Sequence, residues 1–227
     1  MPSVTEILAA NEGRRSLAAR ARRRRFQAFL QRFPELASMR VLDLGGEAHT
    51  WTSNSVRPRE VVLLNLDWRA KEQEAELGGT PESAWITPLG GDACNPPPAV
   101  AEDHFDLVYS NSVIEHLGGH LRRRYFAQVV RTLGDRYWVQ TPYRYFPVEP
   151  HWLFPGFQFL PLRARGAIHR RWPLGSSAGR SDSPERAVGI VLDVELLSAS
   201  AMSFYFPDAE IVRERLGGLT KSLIAVR

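Results

Sequence analysis

Short apolar runs recur through the middle of the chain, and most of them end at small or acidic residues. They occupy residues 40–46, 60–67, 84–92, 105–110 and 137–141. Apolar runs of this length, bounded by turn residues, are typical of buried strands. Their alternation with helical segments predicts an α/β protein built on a doubly wound sheet.

Helical spacing of apolar residues marks the segments on either side of this region. The spacing predicts helices over 4–33, over 120–133 and at about 194–203. Two closing strands, at about 208–215 and 221–226, are expected around a Gly-Gly turn. The fold prediction is therefore a seven-stranded, doubly wound sheet that ends in a C-terminal antiparallel hairpin.

Residues 142–188 show little periodicity and contain many of the prolines and glycines. A short basic helix is expected within 158–171, and the sequence GSSAGRSDSPE at 175–185 is typical of a mobile loop. We expect this insertion to bind an acceptor and to act as a lid. The predicted parts are a basic N-terminal helix, an α/β core, the insertion and the end of the core sheet, with bounds 1–36, 37–141, 142–188 and 189–227.

The composition narrows the class of protein without naming a function. The chain has 227 residues, of which 44% are hydrophobic and 24% are charged, as in ordinary globular proteins. Its single cysteine, Cys94, excludes a disulfide framework and a Cys-rich zinc site. No apolar run approaches the roughly 18 residues of a transmembrane helix, and no secretory signal is recognisable. We therefore expect a cytoplasmic protein with no membrane span.

The order of the motifs resembles that of the class I S-adenosylmethionine-dependent methyltransferases. The resemblance covers about residues 40–141 and rests on VLDLGG, LLNLD, GDACNPP and FDLVYSNSVIEHLGG. The last of these is closest to the small-molecule and glycan O-methyltransferase type. The resemblance implies a Rossmann-like fold and S-adenosyl-L-methionine as the cofactor.

Residues after the first and fourth strands are assigned by this resemblance to the methionine end of the cofactor. Asp43, Gly45 and Gly46 belong to the first turn, where small residues let backbone N–H groups approach a ligand. Ser110 and Asn111 end the fourth strand and would line the same end.

Residues after the second and third strands are assigned to the nucleoside. Asp67 would accept two hydrogen bonds from the ribose hydroxyls, and Trp68 would lie against the adenine. Asp92 would accept a hydrogen bond from the adenine amino group, beside the backbone of Ala93. Without a cofactor, Asp67 could instead cap a helix and Asp92 could be a turn acid.

The first turn departs from the usual glycine-rich pattern, because Glu47 and His49 stand where later glycines are common. A dinucleotide-dependent oxidoreductase is the rival interpretation of such a sheet. It expects three glycines, since a pyrophosphate must rest on the helix N-terminus. S-adenosylmethionine has no phosphate, so their loss favours the methyltransferase.

Methyl transfer to a hydroxyl requires the nucleophile, the methyl group and the sulfur to be aligned, and it requires a base to remove the proton. That base should lie on the loops after the fourth and fifth strands. Glu115 and His116 follow the fourth strand, and Glu149 and His151 follow the fifth. Histidine is the usual base near neutral pH. We predict His151 as the base, with His116 as the competing candidate and a glutamate orienting the acceptor or the imidazole.

The same stretch supplies candidate acceptor-binding side chains, namely Tyr143, Arg144, Tyr145 and Trp152. Aromatic faces with an arginine suit a sugar or oligosaccharide, and they also suit an aromatic natural product. A divalent metal such as Mg²⁺, held by Glu115 and Glu149, is left open but is not indicated. A homodimer is also left open.

Two arginine clusters leave other functions open. They lie at Arg20 with residues 22–25, and at residues 122–124, while residues 1–35 carry eight Arg against three Glu. Such clusters bind phosphate or simply face solvent. An RNA methyltransferase and a non-catalytic cofactor-binding module are therefore alternatives, although a small-molecule or glycan acceptor is favoured over nucleic acid.

Overall fold

A seven-stranded sheet forms the centre of the computed structural model, which describes residues 17–172 and 181–227. Two very short strands form a separate hairpin in the insertion. In chain order the strands are β1 (Arg40–Leu44), β2 (Glu60–Asn65), β3 (Ile86–Gly90), β4 (Phe105–Asn111), β5 (Gly134–Pro142), β6 (Val148–Glu149), β7 (Phe154–Pro155), β8 (Glu210–Leu216) and β9 (Leu219–Val226).

The spatial order of the large sheet is β3-β2-β1-β4-β5-β9-β8. Strands β1 to β5 are parallel, and β9 runs antiparallel to both β5 and β8. The closing turn is Gly217-Gly218, where both glycines have positive φ, a conformation that L side chains rarely adopt. The predicted doubly wound sheet with a C-terminal antiparallel hairpin is confirmed.

Helices cover both faces of the sheet, and none of those in the described ranges is long and apolar enough to cross a membrane. In chain order they are α1 (Leu17–Arg32), α2 (Ala48–Thr52), α3 (Asp67–Leu77), α4 (Pro98–Ala101), α5 (His120–Leu133), α6 (Leu162–Arg171), α7 (Pro184–Leu192) and α8 (Ala199–Tyr205). The N-terminal helix predicted over 4–33 ends as expected, and its part before residue 17 lies outside the described residues.

Apolar side chains alternate between two buried clusters, one on each face of the sheet. In β1, Leu42 and Leu44 face the cluster that contains Phe126 of α5, whereas Val41 faces the cluster that contains Phe29 of α1. Parallel strands that are covered on both faces have apolar side chains on both faces, so their sequences are continuous apolar runs. This is why these segments do not show alternating apolar and polar residues.

The insertion is more regular than the sequence predicts. Helix α6 confirms the basic helix expected within 158–171, but α7 was not predicted and crosses the expected boundary at residue 188. The start of α7 is fixed by Ser183, whose hydroxyl accepts a hydrogen bond from Arg186 N. Trp152, Phe157 and Val191 form a small core of their own. The predicted mobile loop falls largely on residues 173–180, which lie outside the described residues.

Candidate functional site

The carboxyl ends of the parallel strands meet where the strand order reverses, between β1 and β4. In the sheet, β2 and β3 lie on one side of β1, and β4 lies on the other side. In open α/β sheets, ligands bind in the crevice at this point. The sequence-predicted residues after β1 to β5 therefore lie around one edge of the sheet.

The turn after β1 is shaped around a buried carboxylate. Asp43 is fully buried, and its Oδ2 accepts a hydrogen bond of 2.8 Å from Trp51 Nε1, while its Oδ1 has no partner among the described residues. Burial raises the Asp43 pKa to about 7. Gly46 must lack a side chain, because a Cβ there would collide with the Asp43 carboxylate. Gly45 has a φ of +73° and donates its N–H to Leu64 O at 2.8 Å.

The end of β2 presents an unpaired carboxylate to solvent. Asp67 is exposed and is the first residue of α3, so the N-cap position belongs to Leu66, and no side-chain capping bond is made there. The Asp67 carboxylate has no ion pair or hydrogen bond to any described residue. Gly90 at the end of β3 leaves room for it, since a Cβ there would collide with Asp67 Oδ1. Trp68 is 61% exposed beside it.

Three other residues predicted to bind the cofactor are engaged in contacts within the protein. They are Asp92, Ala93 and Ser110. The Asp92 carboxylate pairs with Arg122 Nη2 at 2.8 Å and accepts a hydrogen bond from Cys94 N. Burial opposes ionisation, but these contacts lower the Asp92 pKa overall. Ala93 packs against the core. Ser110 is buried, and its hydroxyl donates to Leu44 O at 2.9 Å.

Arg25 joins this edge from α1, and the sequence interpretation did not assign it to the site. Its guanidinium donates to Asn111 Oδ1 at 3.2 Å and to Gln140 Oε1 at 2.9 Å, and it pairs with Glu214 at 2.9 Å. The helical spacing of the sequence could have indicated this position, because Arg25 lies four residues before Phe29 and thus on the buried face of the helix.

The two predicted histidines meet above the ends of β4 and β5. His116 ends a 3₁₀ turn, Ile114–His116, and His151 follows the short strand β6. Their Nε2 atoms lie 3.2 Å apart, and the rings meet edge to face with centroids 4.9 Å apart. Burial and the neighbouring His151 lower the pKa of His116.

Glu149 holds the imidazole of His151 in place. Its Oε1 lies 2.7 Å from His151 Nδ1, and its Oε2 accepts the backbone N–H groups of His151 and Trp152 at 2.7 and 2.8 Å. Burial lowers the pKa of His151, but the hydrogen bond and the charge of Glu149 raise it overall. This arrangement keeps a proton on Nδ1, so the Nε2 of a neutral His151 is a lone-pair acceptor.

Glu115 is the third member of the cluster that contains His116 and His151. It is fully buried, and its Oε2 accepts a hydrogen bond of 3.0 Å from Thr141 Oγ1, while Oε1 has no partner among the described residues. Burial raises its pKa to about 7. One ligand atom from each of Glu115, His116 and His151 lies within 4.8 Å of the others. Two imidazoles and one carboxylate suit a transition metal such as Zn²⁺ better than Mg²⁺, which prefers oxygen ligands.

The predicted acceptor-binding residues divide between surface and interior. Tyr145 is 57% exposed, packs edge to face on Tyr143 at 5.5 Å and stacks on Phe159 at 6.0 Å. Trp152 is buried in the insertion and stacks on Phe157 at 4.4 Å. Trp152 and Arg144 both line a cavity of about 280 Å³ that also reaches Glu149.

The arginine clusters contribute to the structure of the protein itself. Arg122 pairs with Asp92, as described above, and Arg123 is buried and pairs with Glu195 at 2.8 Å. Arg25 is bound at the sheet edge, whereas Arg22 and Arg24 are exposed. These pairs reduce the number of arginines that a phosphate backbone could contact.

No protein-family model and no curated protein matches the sequence closely, but solved structures share its fold. N-methyltransferase NodS from Bradyrhizobium japonicum WM9 is 13% identical with a TM-score of 0.52, covering 90% of this chain and 93% of that one. The N-terminal domain of EvdMO1, crystallised in the presence of SAH and D-fucose, is 14% identical with a TM-score of 0.53, covering 91% and 82%.

A third structure is described as a putative Zn-dependent alcohol dehydrogenase from Rhodobacter sphaeroides. It is 12% identical with a TM-score of 0.56, covering 87% of each chain. At such identities the likeness establishes the fold alone. The chain shares the Rossmann-like fold of these structures, and the predicted fold class is confirmed.

Proposed function

We propose that the protein is an S-adenosylmethionine-dependent methyltransferase that O-methylates a hydroxyl of a small polar acceptor, such as a sugar or oligosaccharide. The observation that carries the proposal is the His151–Glu149 pair, which lies beside the crevice at the carboxyl ends of β4 and β5. The order of the motifs along β1 to β4 supports the choice of cofactor.

The residues of the crevice fit S-adenosylmethionine. Asp67 offers an exposed, unpaired carboxylate to a ribose diol, and Gly90, which has no Cβ, makes room for that carboxylate. Gly45 and Asn111 would lie at the methionine end. When bound, the cofactor supplies a methyl group on a positively charged sulfur. The Arg122 partner of Asp92 would have to share that carboxylate with an adenine amino group.

His151 would remove the proton from the acceptor hydroxyl. Its Nδ1 is hydrogen-bonded to Glu149, so its Nε2 can accept the proton, and the buried Glu149 carboxylate stabilises the imidazolium that results. Such a base contributes roughly 10²–10⁴-fold to a rate. His116, whose Nε2 lies 3.2 Å away, would relay the proton or position the acceptor.

The acceptor hydroxyl would approach over the aromatic surface of the insertion. Tyr143 and Tyr145 offer ring faces on which a sugar can stack, and Arg144 offers hydrogen-bond donors. The presence of D-fucose with EvdMO1 supports a sugar as the acceptor class.

The proposal is tested in two stages, binding and turnover. Calorimetry should detect S-adenosylmethionine and S-adenosylhomocysteine and no NAD, whereas the reverse pattern would overturn the methyltransferase assignment in favour of an oxidoreductase. A screen with methyl-labelled cofactor against sugars, phenols, lipids and RNA should then label a sugar. Transfer to RNA that weakens steeply with salt would support the nucleic-acid alternative instead.

A further inference from the structure

The cavity beside Glu149 is lined by more positive charge than its neighbours neutralise. Arg144 enters it from the loop after β5, and Arg165 enters it from α6. Neither arginine forms a salt bridge with a described residue. The two acids that also line the cavity are already engaged, Glu149 with His151 and Glu195 with Arg123.

Arg165 is half-buried, and part of its guanidinium lacks a hydrogen-bond partner in the described part of the chain. Its Nε is buried without a hydrogen-bond acceptor among the described residues. Burial lowers the pKa of Arg165, and the neighbouring charge of Arg144 lowers it further, whereas the charges of Glu149 and Glu195 oppose this shift without reversing it. Two like charges facing one cavity are costly unless an anion joins them.

The remaining wall of the cavity suits a small polyol. Gln158 donates its side-chain N–H groups to Arg144 O and Phe146 O at 2.9 and 2.8 Å, and its Oε1 is buried without a partner. Trp152 and Phe157 supply stacked apolar rings. A volume of about 280 Å³ is at the small end of ligand pockets, so it accommodates a single ring.

We infer that this cavity binds an acceptor of one ring that carries an anionic group, either a sugar carboxylate or a sugar phosphate. Arg144 and Arg165 bind the anion, which planar guanidinium groups recognise through paired N–H donors. Glu149 lines the cavity and is hydrogen-bonded to His151 Nδ1, so an acceptor anchored at the arginines would lie next to the residue that holds the proposed base. The inference rests on the proposed function and narrows its acceptor class.

The test measures binding of simple probes to the intact protein saturated with S-adenosylhomocysteine at constant ionic strength. D-glucuronate tests the carboxylate, D-glucose 6-phosphate tests the phosphate, and D-glucuronamide and D-glucose are the neutral controls. At least one anion should raise the melting temperature, and the neutral sugars should not. Arg165→Gln should weaken binding of that anion by about tenfold or more, and Arg165→Lys should restore part of it.

Arg163→Gln is the matched control, because Arg163 lies exposed on the same helix and should leave anion binding unchanged. Equal stabilisation by the neutral sugars, no stabilisation by either anion, or an equal loss in Arg163→Gln would each overturn the inference. S-adenosylhomocysteine binding distinguishes failure of the proposed function from failure of the anionic acceptor alone. If it is absent, the proposed function fails, and if it is present while both anions fail to bind, only the anionic acceptor is refuted.

Discussion

Asp67→Ala is the most direct probe of the cofactor site, because the carboxylate is exposed and forms no hydrogen bond or ion pair with the described residues. If Asp67 binds the ribose hydroxyls, the variant loses charge-assisted hydrogen bonds of about 1.5–3 kcal/mol, which corresponds to roughly ten- to a hundredfold weaker binding. Calorimetry with S-adenosylhomocysteine measures this loss directly.

The effect of the same substitution on folding should be small. Asp67 caps nothing, so it stabilises α3 only through its charge in the first turn, by about 0.3–1 kcal/mol. For a chain of this size that amounts to less than about 4 °C in melting temperature. Glu74→Ala, an exposed acid on the same helix, should change neither binding nor folding.

Gly90→Ala is a second test of the same ribose-binding role of Asp67. Its Cβ would displace the Asp67 carboxylate without removing it, so we expect weaker S-adenosylhomocysteine binding there as well. Unchanged affinity in Asp67→Ala, with the fold intact by circular dichroism, would refute the ribose role and leave Asp67 as a surface residue.

Three further outcomes are expected. His151→Ala should keep S-adenosylhomocysteine affinity and lose roughly 10²–10⁴-fold in turnover, and His116→Ala should lose less; near-normal turnover in His151→Ala would place the base elsewhere. Chelation with EDTA should leave turnover unchanged, since a metal would occupy the lone pair that His151 needs, whereas loss restored by Zn²⁺ would assign Glu115, His116 and His151 to a metal site. Between pH 3.8 and about 7 the folded chain keeps a proton on Asp43 that the unfolded chain releases, so the native protein loses stability as the pH rises. Asp43→Asn has no such proton, so its melting temperature should rise relative to that of the native protein over this range. A difference that does not change with pH would contradict the raised pKa.

Much of the fold could be predicted because its signals are local. The runs in β1, β2 and β4 are apolar on both faces, which requires burial between two layers of helices. Gly217-Gly218 predicted the closing turn. Helix α7 was missed because its apolar residues follow a loop rich in serine and glycine, and only packing against α6 makes a helix there stable.

The sequence by itself placed Gly45, Asp67 and Asn111 at the ends of strands and His151 on the loop after the fifth strand, and therefore all four at one edge of the sheet. Only the tertiary structure decided which side chains meet there. The Nε2 contact between His116 and His151 joins residues 35 positions apart, and Arg25 reaches Asn111 across 86.

Charge pairing shows the same division. The sequence contained Asp92 and the arginine run at 122–124, but not the salt bridge that ties Asp92 to Arg122, nor the cavity that Arg144 shares with Arg165. Periodicity records whether a position is buried, because burial repeats with the helix or strand. It does not record which distant charges come together, because that depends on how the layers pack.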